Sequence, residues 1–330
     1  MKIVFFGTPF FAATNLEFLY ENNIEIVSIV SAPDKEKGRG KKIIPADVKL
    51  KGLELGIDVL SPESLKDEVF LEKLKSYNAD LFVVVAFRML PKEIWSMPKM
   101  GTINLHTSLL PNYRGAAPIN RVLINGEDKT GITTFNIDEK IDCGKILLQE
   151  EIKLTQNTTA AELHNILMNK GSILLLKTIN GIQEKDLSPV LQDDSLSTME
   201  APKLTKELTK IDWNKPATEI HNLIRGLSPV LSENKLLKDV SICPSAWFLF
   251  HTSEGKDVRT KFLLSKYSSK TTNKSGSLDT DNKSYLKINL SDGSIYIEKL
   301  QIAGKNAVTI SQFLLGNKVD NKWTISQKKN

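Results

Sequence analysis

Asn104 and His106 stand two residues apart in the run Thr102-Ile103-Asn104-Leu105-His106-Thr107-Ser108-Leu109-Leu110-Pro111-Asn112-Tyr113-Arg114-Gly115. Ile103 and Leu105 alternate with them, so a strand here puts Asn104 and His106 on one face. Side by side at a strand end, the pair suits acyl transfer. A carboxamide N–H can donate to a developing oxyanion, and an imidazole can move or position a proton. Pro111 and Gly115 turn the chain just beyond, which predicts that the pair lies at the rim of a sheet. On spacing alone, two solvated polar positions on a strand account for the pattern as well. A second segment, Asn136-Ile137-Asp138-Glu139-Lys140-Ile141-Asp142-Cys143-Gly144, offers three carboxylates between two strand-like runs, 131–135 and 145–150. One that reached His106 would complete an acid/base group, and spacing leaves Asp138, Glu139 and Asp142 all open. A third, Lys35-Glu36-Lys37-Gly38-Arg39-Gly40-Lys41-Lys42, has five basic residues in eight. It reads as a long surface loop after a strand; glycine-rich and cationic, it would suit a phosphate backbone.

The elements that must position these residues follow from periodicity. Strand-like runs at 2–6, 24–30, 58–60 and 79–87 alternate with amphipathic stretches at 10–22, 47–55 and 66–77. The run Leu81-Phe82-Val83-Val84-Val85 has the continuous apolar character of a strand buried on both faces. This alternation predicts an α/β fold with a doubly wound, mostly parallel sheet, whose ligand site lies beyond the carboxyl ends of the strands. A helix is expected over 158–179, capped by Thr158 or Thr159, followed by a polar stretch at 181–204 and a short helix at 216–225. Thereafter short β-like runs at 246–250, 261–264, 285–290 and 294–300, separated by glycine turns, predict a small antiparallel (OB-like) β-barrel. The organisation expected is a catalytic domain at 1–185, a linker at 186–207 and a barrel domain at 208–330. Trp247 and Trp323 are expected in the barrel core.

At 330 residues, 41% hydrophobic and 25% charged, the chain has the balance of a two-domain globular protein. No apolar run is long enough to span a bilayer, and Met1 to Gly7 reads as a buried strand rather than a signal segment. Cys143 and Cys243 make neither a disulfide framework nor a metal set, and the scattered histidines suggest no zinc site. The expectation is a cytoplasmic, metal-free protein. Charge is uneven: from Lys203 onward 21 basic residues face 12 acidic ones, net +9, whereas the preceding 202 residues hold 23 against 27, net −4. A basic C-terminal part suits a polyanionic partner, and lysine placed for solubility would give the same count. Gly7-Thr8-Pro9 lacks the G-x-G-x-x-G fingerprint, which disfavours a dinucleotide-dependent oxidoreductase.

The run from Asn104 through Pro111, continued by Arg114-Gly115-Ala116-Ala117-Pro118-Ile119, resembles the signature of the folate-dependent formyltransferases, the methionyl-tRNA branch in particular. The likeness runs on through Phe6-Gly7-Thr8-Pro9, Gly38-Arg39-Gly40-Lys41-Lys42, Thr130-Gly131-Ile132-Thr133, Ile141-Asp142-x-Gly144, Ile211-Asp212-Trp213, Ile224-Arg225-Gly226-Leu227-Ser228-Pro229 and Ala303-Gly304-Lys305. The resemblance implies a formyltransferase-type Rossmann-like domain with a tRNA-binding barrel, and it selects Asp142 to join Asn104 and His106 as catalytic. It implies a 10-formyltetrahydrofolate co-substrate held near Ser108, Leu109, Leu110, Pro111, Phe87 and Arg88. The acceptor implied is the amino group of methionyl-initiator tRNA, with Arg39, Lys41 and Lys42 against the acceptor stem and the enzyme acting as a monomer. Two departures stand out: Arg88 replaces a glycine common in the family, and residues 230–243 replace one or two residues between Pro229 and Pro244. Alternatives are a formyltransferase for glycinamide ribonucleotide or a sugar nucleotide, and a non-catalytic tRNA-binding protein.

Overall fold

The computed structural model describes residues 1–37, 42–232, 235–237, 242–270, 274–320 and 322–325. The chain forms two compact units. The first comprises Met1–Gly115, Thr130–Ile152 and His164–Glu200, and the second Ala116–Lys129, Lys153–Leu163 and Ala201–Asn330.

In the first unit, seven strands lie in the order Ile146–Lys153, Lys129–Asn136, Thr102–His106, Leu81–Val85, Ile3–Gly7, Ile26–Val30, Val59–Leu60. The last five are parallel. Lys129–Asn136 runs antiparallel to Thr102–His106. Ile3–Gly7 and Leu81–Val85 are buried at every residue, as their continuous apolar runs predict. On one face Val4, Phe6, Phe82 and Val84 pack with Phe70, Leu74 and Ile94 from flanking helices. The helices Phe10–Glu21, Asp47–Glu54 and Glu68–Ser76 lie where periodicity places them. The third begins two residues later than expected because Asp67 is its N-cap, its carboxylate accepting the Phe70 N–H at 2.8 Å. Parallel strands all finish at one edge of the sheet, so Gly7, Val85 and His106 end together there.

The basic segment departs from the loop expected of it. Lys35–Lys37 and Lys42–Ile44 pair antiparallel, Lys37 opposite Lys42, as a short β-ribbon. Arg39 and Lys41 lie outside the described residues, and of Lys42 only the main chain is described.

In the second unit an antiparallel sheet, ordered Leu278–Thr280, Leu286–Asn289, Ser294–Ile302, Asp257–Ser268, Ala246–His251, Thr324–Ile325, curls into a nearly closed barrel. Its core holds Trp213, Phe248, Phe250, Phe262, Ile288, Ile295 and Leu300, with the helix Ala217–Gly226 against it through Ile220 and Ile224. Asp257–Ser268 is much longer than its apolar run at 261–264. A register shift between Phe262 and Ser265 breaks the period-2 pattern that the sequence would otherwise display. Trp323 packs on Phe250 and Phe313. Trp247, expected in the core, is instead half-buried beneath the Arg259 guanidinium, 3.9 Å from the ring centre, with its indole N–H on Thr209 Oγ1. Among the described residues no helix is long and apolar enough to cross a membrane.

Candidate active site

Thr102–His106 holds the Asn/His pair. Asn104 is level with Val84 on one side and Phe135 on the other, and His106 with Thr133. Alternation sends Ile103 and Leu105 into the opposite face, both buried, and leaves Asn104 half-buried with no hydrogen-bond partner for its carboxamide among the described residues. His106 is 6% exposed, and its Nε2 lies 2.8 Å from the Tyr113 carbonyl oxygen. A carbonyl only accepts, so Nε2–H donates, and Nδ1 is the ring atom left to exchange a proton.

Nδ1 faces Asp142 Oδ2 at 3.7 Å, beyond direct hydrogen bonding. The Asn136 N–H donates to the Lys145 carbonyl at 2.9 Å and closes the base of the turn that carries Asp142. Within the turn the three acids separate. Asp138 accepts from the Lys140 N–H, Glu139 pairs with Lys92, and both are exposed. Asp142 alone turns inward, its side chain 14% exposed and its Oδ2 accepting the Gly115 N–H at 2.9 Å. Its φ of 55° is left-handed, a conformation that short polar residues adopt more readily than most. Gly144 has no substitute here: an added Cβ would lie 1.7 Å from the Asn136 carbonyl oxygen.

Beyond His106, the turn through Ser108 and Pro111 is bound tightly to its surroundings. The Ser108 hydroxyl donates to Asn112 O at 2.7 Å, and the Thr133 hydroxyl donates to Ser108 O at 2.7 Å. Leu110 is tied at both main-chain groups, its N–H to Thr133 Oγ1 and its carbonyl to Gln149 Nε2. Leu109 nests on Gly131, where an added Cβ would come within 2.4 Å of its Cδ2. Ser108 and Leu110 are therefore buried, and Leu109 and Pro111 half-buried. At the neighbouring strand end Phe87 sets its ring edge-on to Phe6, centroids 5.7 Å apart. Arg88 is exposed; it donates to the Pro62 and Glu63 carbonyls at 2.5 and 2.9 Å and stands 5.7 Å from the Phe87 ring. Two of its five donors are spent on main chain.

Two residues at this site had no role assigned from the sequence: Arg114, although it stands in the motif that carries the family resemblance, and Gln192. Arg114 donates through Nε and Nη2 to Gln192 Oε1, at 3.1 and 2.7 Å, and also pairs with Asp194. Gln192, in the polar stretch after the long helix Ala160–Glu184, donates to the carbonyls of Asp142 and Gly144. Among the described residues no group of three or more His, Cys, Asp or Glu side chains could hold a metal ion.

A half-buried carboxamide, a buried imidazole with one nitrogen committed and an inward carboxylate gather where parallel strands end, the edge of an α/β sheet at which ligands bind. The chain belongs to the formyl transferase family: the formyl transferase model matches residues 1–179 and the formyl transferase C-terminal domain model residues 203–318. It is 42% identical over 320 residues to the methionyl-tRNA formyltransferase of Flavobacterium johnsoniae, covering 96% of each chain. With that of Parabacteroides distasonis it shares 39% over 331 residues, covering 98% of each. Among solved structures, the N-formyltransferase from Helicobacter canadensis in complex with folinic acid and dTDP-3-aminofucose has the same fold. Its TM-score is 0.64 at 21% identity, over 90% of this chain and 98% of that one.

Proposed function

We propose that this chain transfers the formyl group of 10-formyltetrahydrofolate to the free amino group of methionyl-initiator tRNA. The observation that carries this reading is the convergence of Asn104, His106 and Asp142 at one strand edge, in a chain similar over nearly its whole length to methionyl-tRNA formyltransferases.

The uncharged α-amine attacks the formyl carbon, and the carbonyl π-pair moves to oxygen. Asn104, whose carboxamide has no competing partner among the described residues, donates to that oxyanion. His106 Nδ1 accepts the proton from the now cationic attacking nitrogen and delivers it to N10, with Nε2–H held on Tyr113 O throughout. The Asp142 carboxylate stabilises the imidazolium between those two transfers. As the oxyanion collapses the C–N10 bond breaks, leaving the formylated amine and tetrahydrofolate. The turn of Ser108, Leu109, Leu110 and Pro111, together with Phe87 and Arg88, holds the folate. The rigidity of that turn supports a preformed pocket wall. Arg39, Lys41 and Lys42 brace the acceptor stem. The division into a catalytic domain at 1–185, a linker at 186–207 and a tRNA-binding barrel at 208–330 fits the net +9 of the C-terminal part. The enzyme works as a metal-free monomer in the cytoplasm.

The test is transfer of label from 10-formyltetrahydrofolate to charged initiator tRNA, with glycinamide ribonucleotide and an amino-sugar nucleotide as parallel acceptors. Label entering methionyl-tRNA is expected; label on either other acceptor alone overturns the reading.

A further inference from the structure

We propose that Gln192 is a positioning residue for Asp142, acting with Arg114 as a bracket that fixes the aspartate's main chain. This rests on the formyl-transfer reading of the site.

Asp142 sits in a turn at a left-handed φ of 55°, which aspartate tolerates better than most residues but populates less than the right-handed region, and two sets of hydrogen bonds hold it there. One hold is on the side chain, from the Gly115 N–H. The other is on the main chain: the two amide protons of Gln192 go to the carbonyls of Asp142 and Gly144, at 2.9 and 2.8 Å, so one carboxamide straddles the residue between them. The carboxamide is itself aimed. Its Oε1 accepts two bonds from Arg114, whose Nη2 is anchored a second time by Asp194 at 2.9 Å. Arg114 directly precedes Gly115, whose main-chain N–H donates to the Asp142 carboxylate. Both holds thus come from one two-residue segment and its partner, and the carboxylate is kept 3.7 Å from His106 Nδ1. Every donor and acceptor of the Gln192 carboxamide is used, and Gln192 touches neither His106 nor Asn104 by any hydrogen bond. Its effect on the reaction must therefore pass through Asp142.

Gln192→Glu is the discriminating variant. It keeps the side-chain length and the acceptor that Arg114 binds, but it turns a carboxylate oxygen towards two carbonyl oxygens where an NH₂ group stood. Loss of two ordinary hydrogen bonds predicts a kcat lowered about thirtyfold, which is about 2 kcal/mol at 1.4 kcal/mol per decade. KM for the formyl donor and for methionyl-tRNA should stay within about threefold. In an Asp142→Ala background the same change should cost nothing further, because the residue it positions is gone. Gln192→Met, which deletes both sets of bonds at similar volume, should behave alike and serves if the glutamate variant does not fold. Wild-type kcat in the single variants, with Asp142→Ala still impaired, would overturn this inference alone. So would an undiminished loss on top of Asp142→Ala, since that marks a purely structural effect. If Asp142→Ala itself turned over at the wild-type rate, the reading of the site would fail instead.

Discussion

Replacing Gly144 by alanine tests how the Asp142 turn is held. The new Cβ would lie 1.7 Å from the Asn136 carbonyl oxygen and 2.8 Å from its carbon, both main-chain atoms that no rotamer change can clear. An ordinary contact is about 3.5 Å, so the chain must open by more than about 1.5 Å. Three hydrogen bonds cross the part that has to move: Asn136 N–H to Lys145 O at 2.9 Å, and Gln192 to the carbonyls of Asp142 and Gly144 at 2.9 and 2.8 Å. At about 1 kcal/mol net each, losing all three costs about 3 kcal/mol, and a relaxed overpacked site costs about 1–3 kcal/mol. A loss of about 2–3 kcal/mol corresponds to a Tm lower by roughly 4–12 °C for a unit of this size. The activity effect is larger in proportion. Displacing a reacting group by about 1 Å can cost on the order of a hundredfold, and Asp142 lies two residues from the point of strain. Thermal melts and steady-state formyl transfer should therefore show a lower Tm together with kcat reduced about a hundredfold. A Gly144→Ala protein melting within about 1 °C of wild type and turning over within about twofold would refute the argument that this close approach fixes the turn.

In the proposed mechanism His106→Ala should lower kcat by about 10²–10⁴ and Asn104→Ala by about 10²–10³, with tRNA affinity measured by filter binding nearly unchanged. Near-normal turnover in His106→Ala would sink the assignment. Asp138→Ala and Glu139→Ala should leave kcat within about threefold, because those carboxylates face a turn amide and Lys92 rather than His106. A loss matching that of Asp142→Ala in either one would contradict the geometry. In the second unit, burial holds the His221 imidazole below its ordinary pKa of 6.5, and the nearby Arg225 cation adds to this against the bond to Gln156 O. The neutral ring is already satisfied, Nε2–H on Gln156 O and Nδ1 on the Ser265 hydroxyl. Between its unfolded and folded pKa values the unfolded chain binds the proton and the folded one does not, so stability falls as pH drops below about 6.5. Urea melts at pH 7.5 and 5.5 should show a smaller loss in His221→Gln than in wild type; an equal or larger loss in the variant would be the contrary result.

How far the site could be read in advance differs residue by residue. The faces of Asn104 and His106 follow from two flanking apolar residues, because strand alternation is local geometry. The apolar run at Leu81–Val85 announces a strand buried on both sides. Asp142 stood level with Asp138 and Glu139 on spacing. What separates them is a left-handed main chain at one residue and an amide donated by Gly115, 27 positions away. Gln192 sits in a polar stretch without periodicity and is 78 positions from Arg114, so no local pattern marks it. The ribbon around Lys35–Lys37 and the length of Asp257–Ser268 were likewise hidden, one by a run of charge and the other by a register shift.

The sequence by itself determined the α/β and barrel architectures, the strand that carries Asn104 and His106, the end of the sheet where they emerge, and the family through its ordered motifs. The architectures and the strand face rest on periodicity and composition within short windows, and the family on the resemblance of motifs spread along the chain. Tertiary structure decided which nitrogen of His106 is free, how the acid that the resemblance selected comes to face it while its two neighbours stay exposed, and that a glutamine and an arginine hold that acid in place. Each of these depends on hydrogen bonds between residues separated along the chain, and such bonds exist only once the sheet has brought the strand ends together.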